Sequence, residues 1–317
     1  VIVPITVAAR DEAACLPGCV GSLQRAMAYA EARSALRFAL CVVCDDCVDD
    51  SELVARGLGV EVRTSSGGKV EAQRVGVRPG PFQVFCDADV VVSEDALWAV
   101  CEALLTRPEV EVASPERVPA RPRRRTPVAW ALYVYNLRRG FSSQRTWFNG
   151  RFFAIRRWDV PTREAAQARA RELPADPFLR LEDGLQADDI WLSRRIAAEA
   201  GAAGFATTAG AVWYRPPETL SGMYRTWHRL RRELERTTAL FPETAAAHAT
   251  FGARRPDLLA AAPVAERAAW WLFQALLVGC DLRYRGERWA ARRWGWATPR
   301  WPRVDEAHVP LDPAGSP

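Results

Sequence analysis

The stretch VFCDADVVV, residues 84–92, decides the fold. Its apolar residues read as a buried strand, and Asp87 and Asp89 interrupt them one residue apart at the strand's mouth. Alternate residues of an extended chain share a side, so both carboxylates can face one point. Two hard oxygen donors at a strand's carboxyl end suit a divalent cation, Mg2+ or Mn2+, which would hold the diphosphate of a nucleotide.

Outward from this strand the same rhythm recurs. Apolar runs at 1–9, 38–44, 59–64, 83–87 and 109–114 read as strands, separated by helical patterns near 13–33, 50–57, 68–77 and 94–106. Strands alternating with helices predict an α/β, doubly wound sheet that binds its ligand at the strand carboxyl ends. The stretch PERVPARPRRRTP (115–127), with four prolines and five arginines, reads as a loop or junction. Beyond it the pattern predicts a helix near 128–139, a hairpin-like region at 148–157, a helix over about 188–200 and a strand over 205–214. The C-terminal third reads as helical and rich in arginine and tryptophan. Three regions result: 1–115, 116–222 and a helical extension, 223–317.

At 317 residues the chain has room for one large α/β domain with an appendage. Its net charge of +5 is uneven, with basic residues crowding 121–125, 225–236 and 283–303, a pattern that favours phosphate-bearing partners or anionic lipid. The longest apolar run, AAWWLFQALLV at 268–278, falls short of the roughly 20 residues that cross a bilayer. The first residues read as a strand, not a signal peptide, and a cytoplasmic protein is expected. Cys41, Cys44 and Cys47 have metal-like spacing, but 41 and 44 of a strand point to opposite faces and no fourth ligand follows at a matching interval. Reduced core thiols are the expectation.

Further acidic groups stand at element ends. In CVVCDDCVDDS (41–51), Asp45 or Asp46 could accept hydrogen bonds from a nucleobase or ribose, while Asp49 and Asp50 suit a turn. Lys69 is the single lysine among 43 basic residues, and it follows Gly67 and Gly68 at a helix start, where backbone amides can approach an anion. In ADDIWLSRRI (187–196), one of Asp188 and Asp189 suits a helix cap and the other a general base. Over 223–236, Met223, Trp227, Leu230 and Leu234 form an apolar side expected in the core. Arg225, Arg229, Arg232 and Arg236 form the opposite side, expected either in solvent or on a diphosphate.

These motifs, in the order VAARDEA (7–13), VVCDDCVDDS (42–51), GGKVEAQRVGV (67–77), CDADV (86–90), FNGRFFAIRR (148–157), ADDIWLSRRI (187–196) and VWYRPPETLSGMYRTWHRLRRE (212–233), resemble glycosyltransferase family 2 over roughly residues 1–236. The resemblance implies an inverting, metal-dependent enzyme of the GT-A fold that uses a nucleoside-diphosphate sugar, UDP-sugar favoured. It implies nucleotide binding by Ala8, Arg10, Glu12, Asp45, Asp46, Lys69 and Asp87, and metal binding by Asp87 and Asp89. It also implies catalysis by Asp189 with Asp188 beside it, and diphosphate or acceptor contacts by Arg225, Trp227 and Arg229. Cys44, Asp46, Cys47 and Ala8 depart from the family's usual acid, glycine, serine and proline, and Asp188 stands for its usual glutamate.

Six tryptophans lie between 270 and 301, interleaved with arginines as in RGERWAARRWGW (285–296), a pattern suited to an interfacial segment. A lipid-linked or hydrophobic acceptor and peripheral contact with the inner face of a membrane through 268–301 are therefore expected, against a helical cap packed on the domain. Two other functions fit parts of the pattern. A sugar-nucleotide nucleotidyltransferase lacks its glycine-rich, lysine-containing loop between 4 and 20. A binding module for lipid or nucleic acid would explain the basic tail but not three acidic clusters, so nucleic acid is not an expected partner.

Overall fold

Strand β1 (Ile2–Ala9) sets Val3, Ile5 and Val7 on one side, all fully buried, as alternation along an extended chain requires. The computed structural model describes residues 1–138, 147–148, 150–246, 256–295 and 308–311. The strands after β1 are β2 (Arg37–Asp45), β3 (Glu61–Ser65), β4 (Gln83–Asp87), β5 (Val91–Val92), β6 (Val112–Pro119), β7 (Phe152–Ile155) and β8 (Phe205–Tyr214). They form one sheet in the order β3-β2-β1-β4-β7-β6-β8-β5. Pairing is parallel from β3 to β4, antiparallel on both sides of β7, parallel between β6 and β8, and antiparallel at β5.

Helices cover both faces. They are α1 (Leu16–Glu31), α2 (Ser51–Gly57), α3 (Lys69–Gly76), α4 (Ala96–Thr106), α5 (Pro127–Leu137), α6 (Arg163–Arg171), α7 (Asp188–Ala200), α8 (Leu220–Leu240), α9 (Pro256–Ala261) and α10 (Val264–Trp294). One core cluster joins Val3, Ile5, Phe152 and Ala154 to Leu23 of α1 and Val100 and Leu104 of α4. The other joins Phe85, Phe153 and Ile155 to Leu192 of α7, Met223 of α8 and Phe273 of α10. Each such large side chain contributes roughly 1.5–3 kcal/mol through burial. Proline at the first turn of α1 and α5, and the Thr126, Thr162 and Thr219 side chains that accept N–H bonds ahead of α5, α6 and α8, fix where those helices begin.

The doubly wound, mixed α/β sheet and the helical C-terminal region match the expectation. Local differences have physical causes. Residues 115–119, expected as loop, extend β6, which pairs on β8 with a register shift at Pro115/Glu116. Its other edge is paired with β7 only at Val112 and Ala113, so prolines 115 and 119 lose no ladder bond there. The 148–157 region is not a hairpin; it supplies one antiparallel strand between β4 and β6. Helix α6 has no counterpart in the expectation. Cys41 and Cys44 fall in different core clusters on opposite faces, and all eight cysteines are free. Among the described residues no helix is long and apolar enough to cross a membrane.

Candidate active site

Because β1 is flanked by β2 on one side and β4 on the other, the chain leaves it in two directions and opens a crevice at the carboxyl ends of these strands. Ala8 stands in register with Asp87 and Val43, which brings the ends of three strands together. Lys69, the first residue of α3, reaches into this crevice. Its ammonium lies 2.7 Å from Asp87 Oδ1 and 3.5 Å from Asp188 Oδ1, and donates to the Gly150 carbonyl at 3.0 Å. Burial would lower the pKa of this amine, but Asp188, Asp87 and Asp189 outweigh it and raise the pKa. Lys69 therefore stays charged and ties Asp87, at the end of β4, to the start of α7.

Asp188 is buried and accepts a 2.8 Å hydrogen bond from Gln73 Nε2. Neither aspartate caps α7, contrary to the sequence expectation for one of them: the cap position is Ala187, and Asp188 and Asp189 occupy the first helical turn. Glu233 of α8 takes the N–H groups just ahead, accepting from Gln186 at 2.7 Å and Ala187 at 3.3 Å, which leaves both aspartates to the crevice. Burial first, then Asp188, push the Asp189 carboxyl up to about 6, with Lys69 opposing. A carboxyl poised there suits a general base near neutral pH. Gly150 packs over it, and a Cβ at that position would stand 2.9 Å from Asp189 Cβ.

Asp87 Oδ2 lies 4.0 Å from Arg151 Nη1, and burial raises the Asp87 carboxyl above its ordinary range, with Lys69 opposing and Asp89 adding to the rise. Asp45, buried at the end of β2, accepts from Gly68 N at 3.0 Å and Ser65 Oγ at 3.0 Å, with Arg10 Nη1 at 3.6 Å. Gly68 has φ 98°, and a Cβ would meet Gln186 Oε1 at 2.6 Å, so only glycine brings this amide onto Asp45. Asp46 is exposed, with φ 46°. Glu12 is buried and contacts His308 Nδ1, which lies 3.8 Å from Asp89 Oδ2.

Helix α8 departs most from expectation. Its Arg232 and Arg236 are fully buried, while Leu230 and Leu234 are half-buried. Arg236 donates to the Leu179 and Gly184 carbonyls and pairs with Glu233, so remote backbone oxygens satisfy a charge that the amphipathic pattern assigned to solvent or a diphosphate. Arg229 lies within electrostatic reach of the crevice: burial and Arg151 lower its pKa, and Asp89, Asp87 and Asp189 counter them. Trp227 packs at the border of the second core cluster, and Arg225 is half-buried on the same helix.

No protein-family model matches this chain, and no curated protein does. Solved structures resemble it distantly. Glucosyl-3-phosphoglycerate synthase from Mycobacterium tuberculosis, in complex with Mn2+, UDP-glucose and phosphoglyceric acid, is 16% identical, with 74% of this chain and 79% of that one covered at a TM-score of 0.45. Mannosyl-3-phosphoglycerate synthase from Rubrobacter xylanophilus is 18% identical, with 77% and 75% covered at a TM-score of 0.47.

Four residues at the site escaped the sequence reading. Gln73 lies one helical turn beyond Lys69, Gly150 and Arg151 sit inside the FNGRFFAIRR motif, and His308 arrives from a tail that carries no local pattern. Lys69 and Gln73 are four apart on α3, the spacing of neighbours on a helix, which is the one signal that could have drawn Gln73 in.

Proposed function

We propose that this chain is an inverting, metal-dependent glycosyltransferase of the GT-A type. In this reading it moves a sugar from a nucleoside-diphosphate sugar, UDP-sugar favoured, to a hydroxyl of a lipid-linked or hydrophobic acceptor. The observation that carries the reading is the convergence of Asp87 and Asp188 on Lys69, at 2.7 and 3.5 Å, with Asp189 adjoining under Gly150. A carboxylate pair beside a separate carboxyl of raised pKa provides the two functions that displacement at an anomeric carbon needs.

Asp87 and Asp89 offer carboxylate oxygens, a donor pair that fits Mg2+ or Mn2+, and His308, whose Nδ1 contacts Glu12 and lies 3.8 Å from Asp89 Oδ2, stands beside them as an outer partner. When bound, such a cation would offset the charge that builds on the departing nucleoside diphosphate. Arg229 and Arg151 add fixed positive charge beside the same carboxylates. Asp189 takes the proton from the acceptor hydroxyl, and Gln73 and Lys69 hold Asp188 beside it. Attack on the face opposite the leaving group gives inversion. Asp45, Arg10 and Glu12 line the end of the crevice assigned to the nucleoside. Of the segment 268–301, read from the sequence as an interfacial contact, residues 296–301 lie outside the described residues.

Calorimetric titration of UDP with Mn2+, then with EDTA, and again with GDP tests this. Binding that requires metal and prefers UDP supports the reading, and no binding of either nucleotide overturns it.

A further inference from the structure

Among the described residues, helix α10 is covered on one side only. Its inner side stacks Phe273 on Tyr135 of α5, with ring centroids 3.7 Å apart, and its Glu287 accepts from the Tyr224 hydroxyl of α8 at 2.6 Å. The outer side presents Val264, Trp271, Val278, Leu282 and Trp289, each 58 to 70% exposed. Every other exposed residue from 264 to 282 is alanine or glycine, and none is charged. That strip runs about 28 Å at 1.5 Å per residue. A continuous apolar strip of this length marks an interaction surface.

Its spacing says what kind. Positions 264, 268, 271, 275, 278, 282, 285 and 289 alternate steps of four and three, the 3.5-residue period of a seam that meets another helix. Arg285 is the one charged residue at these positions, and it and the arginines beside the seam are largely neutralised within the chain: Arg283 pairs with Glu287, Arg285 with Asp281, Arg288 with Glu235, and Arg292 with Asp176. A surface of that charge does not call for anionic lipid. The seam is also self-complementary. Antiparallel pairing about the midpoint of residues 276 and 277 sets Trp271 against Leu282, Val264 against Trp289 and Ala275 against Val278. Large side chains then meet smaller ones, and the two arginine-rich ends lie at opposite ends of the contact. Parallel pairing would bring those ends together.

We propose that the outer face of α10 pairs antiparallel with the same face of a second copy of this chain, forming a two-fold symmetric dimer. The pairing is independent of the donor chemistry, since UDP titration reads the crevice separately.

Light scattering on the eluting full chain at micromolar concentration tests it, alongside Leu282→Glu and Trp271→Glu, which alter exposed residues. The wild type elutes as a dimer and each variant as a monomer that still binds UDP with Mn2+ as the wild type does. Chains carrying Ala275→Cys, mixed with chains carrying Val278→Cys under oxidised glutathione, give a disulfide-linked heterodimer. A monomeric wild type overturns the proposal. So does a wild type that floats with phosphatidylcholine/phosphatidylglycerol vesicles as a monomer and loses flotation in Leu282→Glu, since that result assigns the face to a bilayer.

Discussion

Glu233 and Arg236, neighbours on one side of α8 and both fully buried, form a 2.9 Å ion pair that anchors the loop leading to Asp188 and Asp189. Glu233 accepts from the backbone of Gln186 and Ala187, and Arg236 donates to the carbonyls of Leu179 and Gly184. One charge pair thus fixes both ends of the segment 179–187. Removing one partner leaves the other buried and uncompensated, which is more costly than never having had the pair.

Arg236→Met is expected to destabilise the protein by about 3–5 kcal/mol in urea unfolding. A loss below about 1 kcal/mol would place this pair with exposed ion pairs and remove its anchoring role.

Asp189→Asn is expected to abolish sugar transfer while leaving metal-dependent UDP affinity unchanged, because in the proposed mechanism the residue serves the acceptor hydroxyl and not the diphosphate. Normal turnover in this variant rules out Asp189 as the base.

The pH profile adds direction. With Asp189 at about 6, kcat/KM should rise as pH increases through that value, since the base acts only after losing its proton. Lys69 lowers this pKa and Asp188 raises it, so Lys69→Met should move the acid limb upward and Asp188→Asn downward. Shifts of the same sign in both variants would refute the electrostatic assignment.

Asp89→Ala should abolish metal-dependent UDP binding. His308→Ala should weaken it by about tenfold, the lower end of what outer ligand partners contribute. Calorimetry reads both, and full-strength binding in Asp89→Ala defeats the metal assignment.

Gly150→Ala tests packing over the base. The added methyl must push against Asp189 Cβ at 2.9 Å, so turnover should fall with little loss of UDP affinity. Unchanged turnover would show that the base tolerates displacement.

Much of this was legible in the chain. The ends of β2 and β4 and the start of α7 could be placed because apolar runs stop at carboxylates, and Asp45, Asp87, Asp188 and Asp189 stand there. Lys69 stood out by composition alone. The fate of α8 was not legible: an amphipathic pattern gives two sides but not the one that finds partners, and Arg236 went inward because carbonyls and a carboxylate were waiting, with Arg232 buried on the same helix. His308 was invisible, since its contact with Glu12 spans 296 residues and leaves no periodic trace.

By itself, then, the sequence determined the alternation of strands and helices and the placing of acids at their ends, because side-chain period and helix starts are local properties. Only the tertiary structure decided that Lys69 stands between Asp87 and Asp188, that α8 buries Arg232 and Arg236, and that α10 keeps an apolar seam uncovered by the other described residues. Each of these depends on which distant backbone and side-chain groups meet a charge or a methyl group, and burial of a polar group is settled by its partners rather than by its neighbours in the chain.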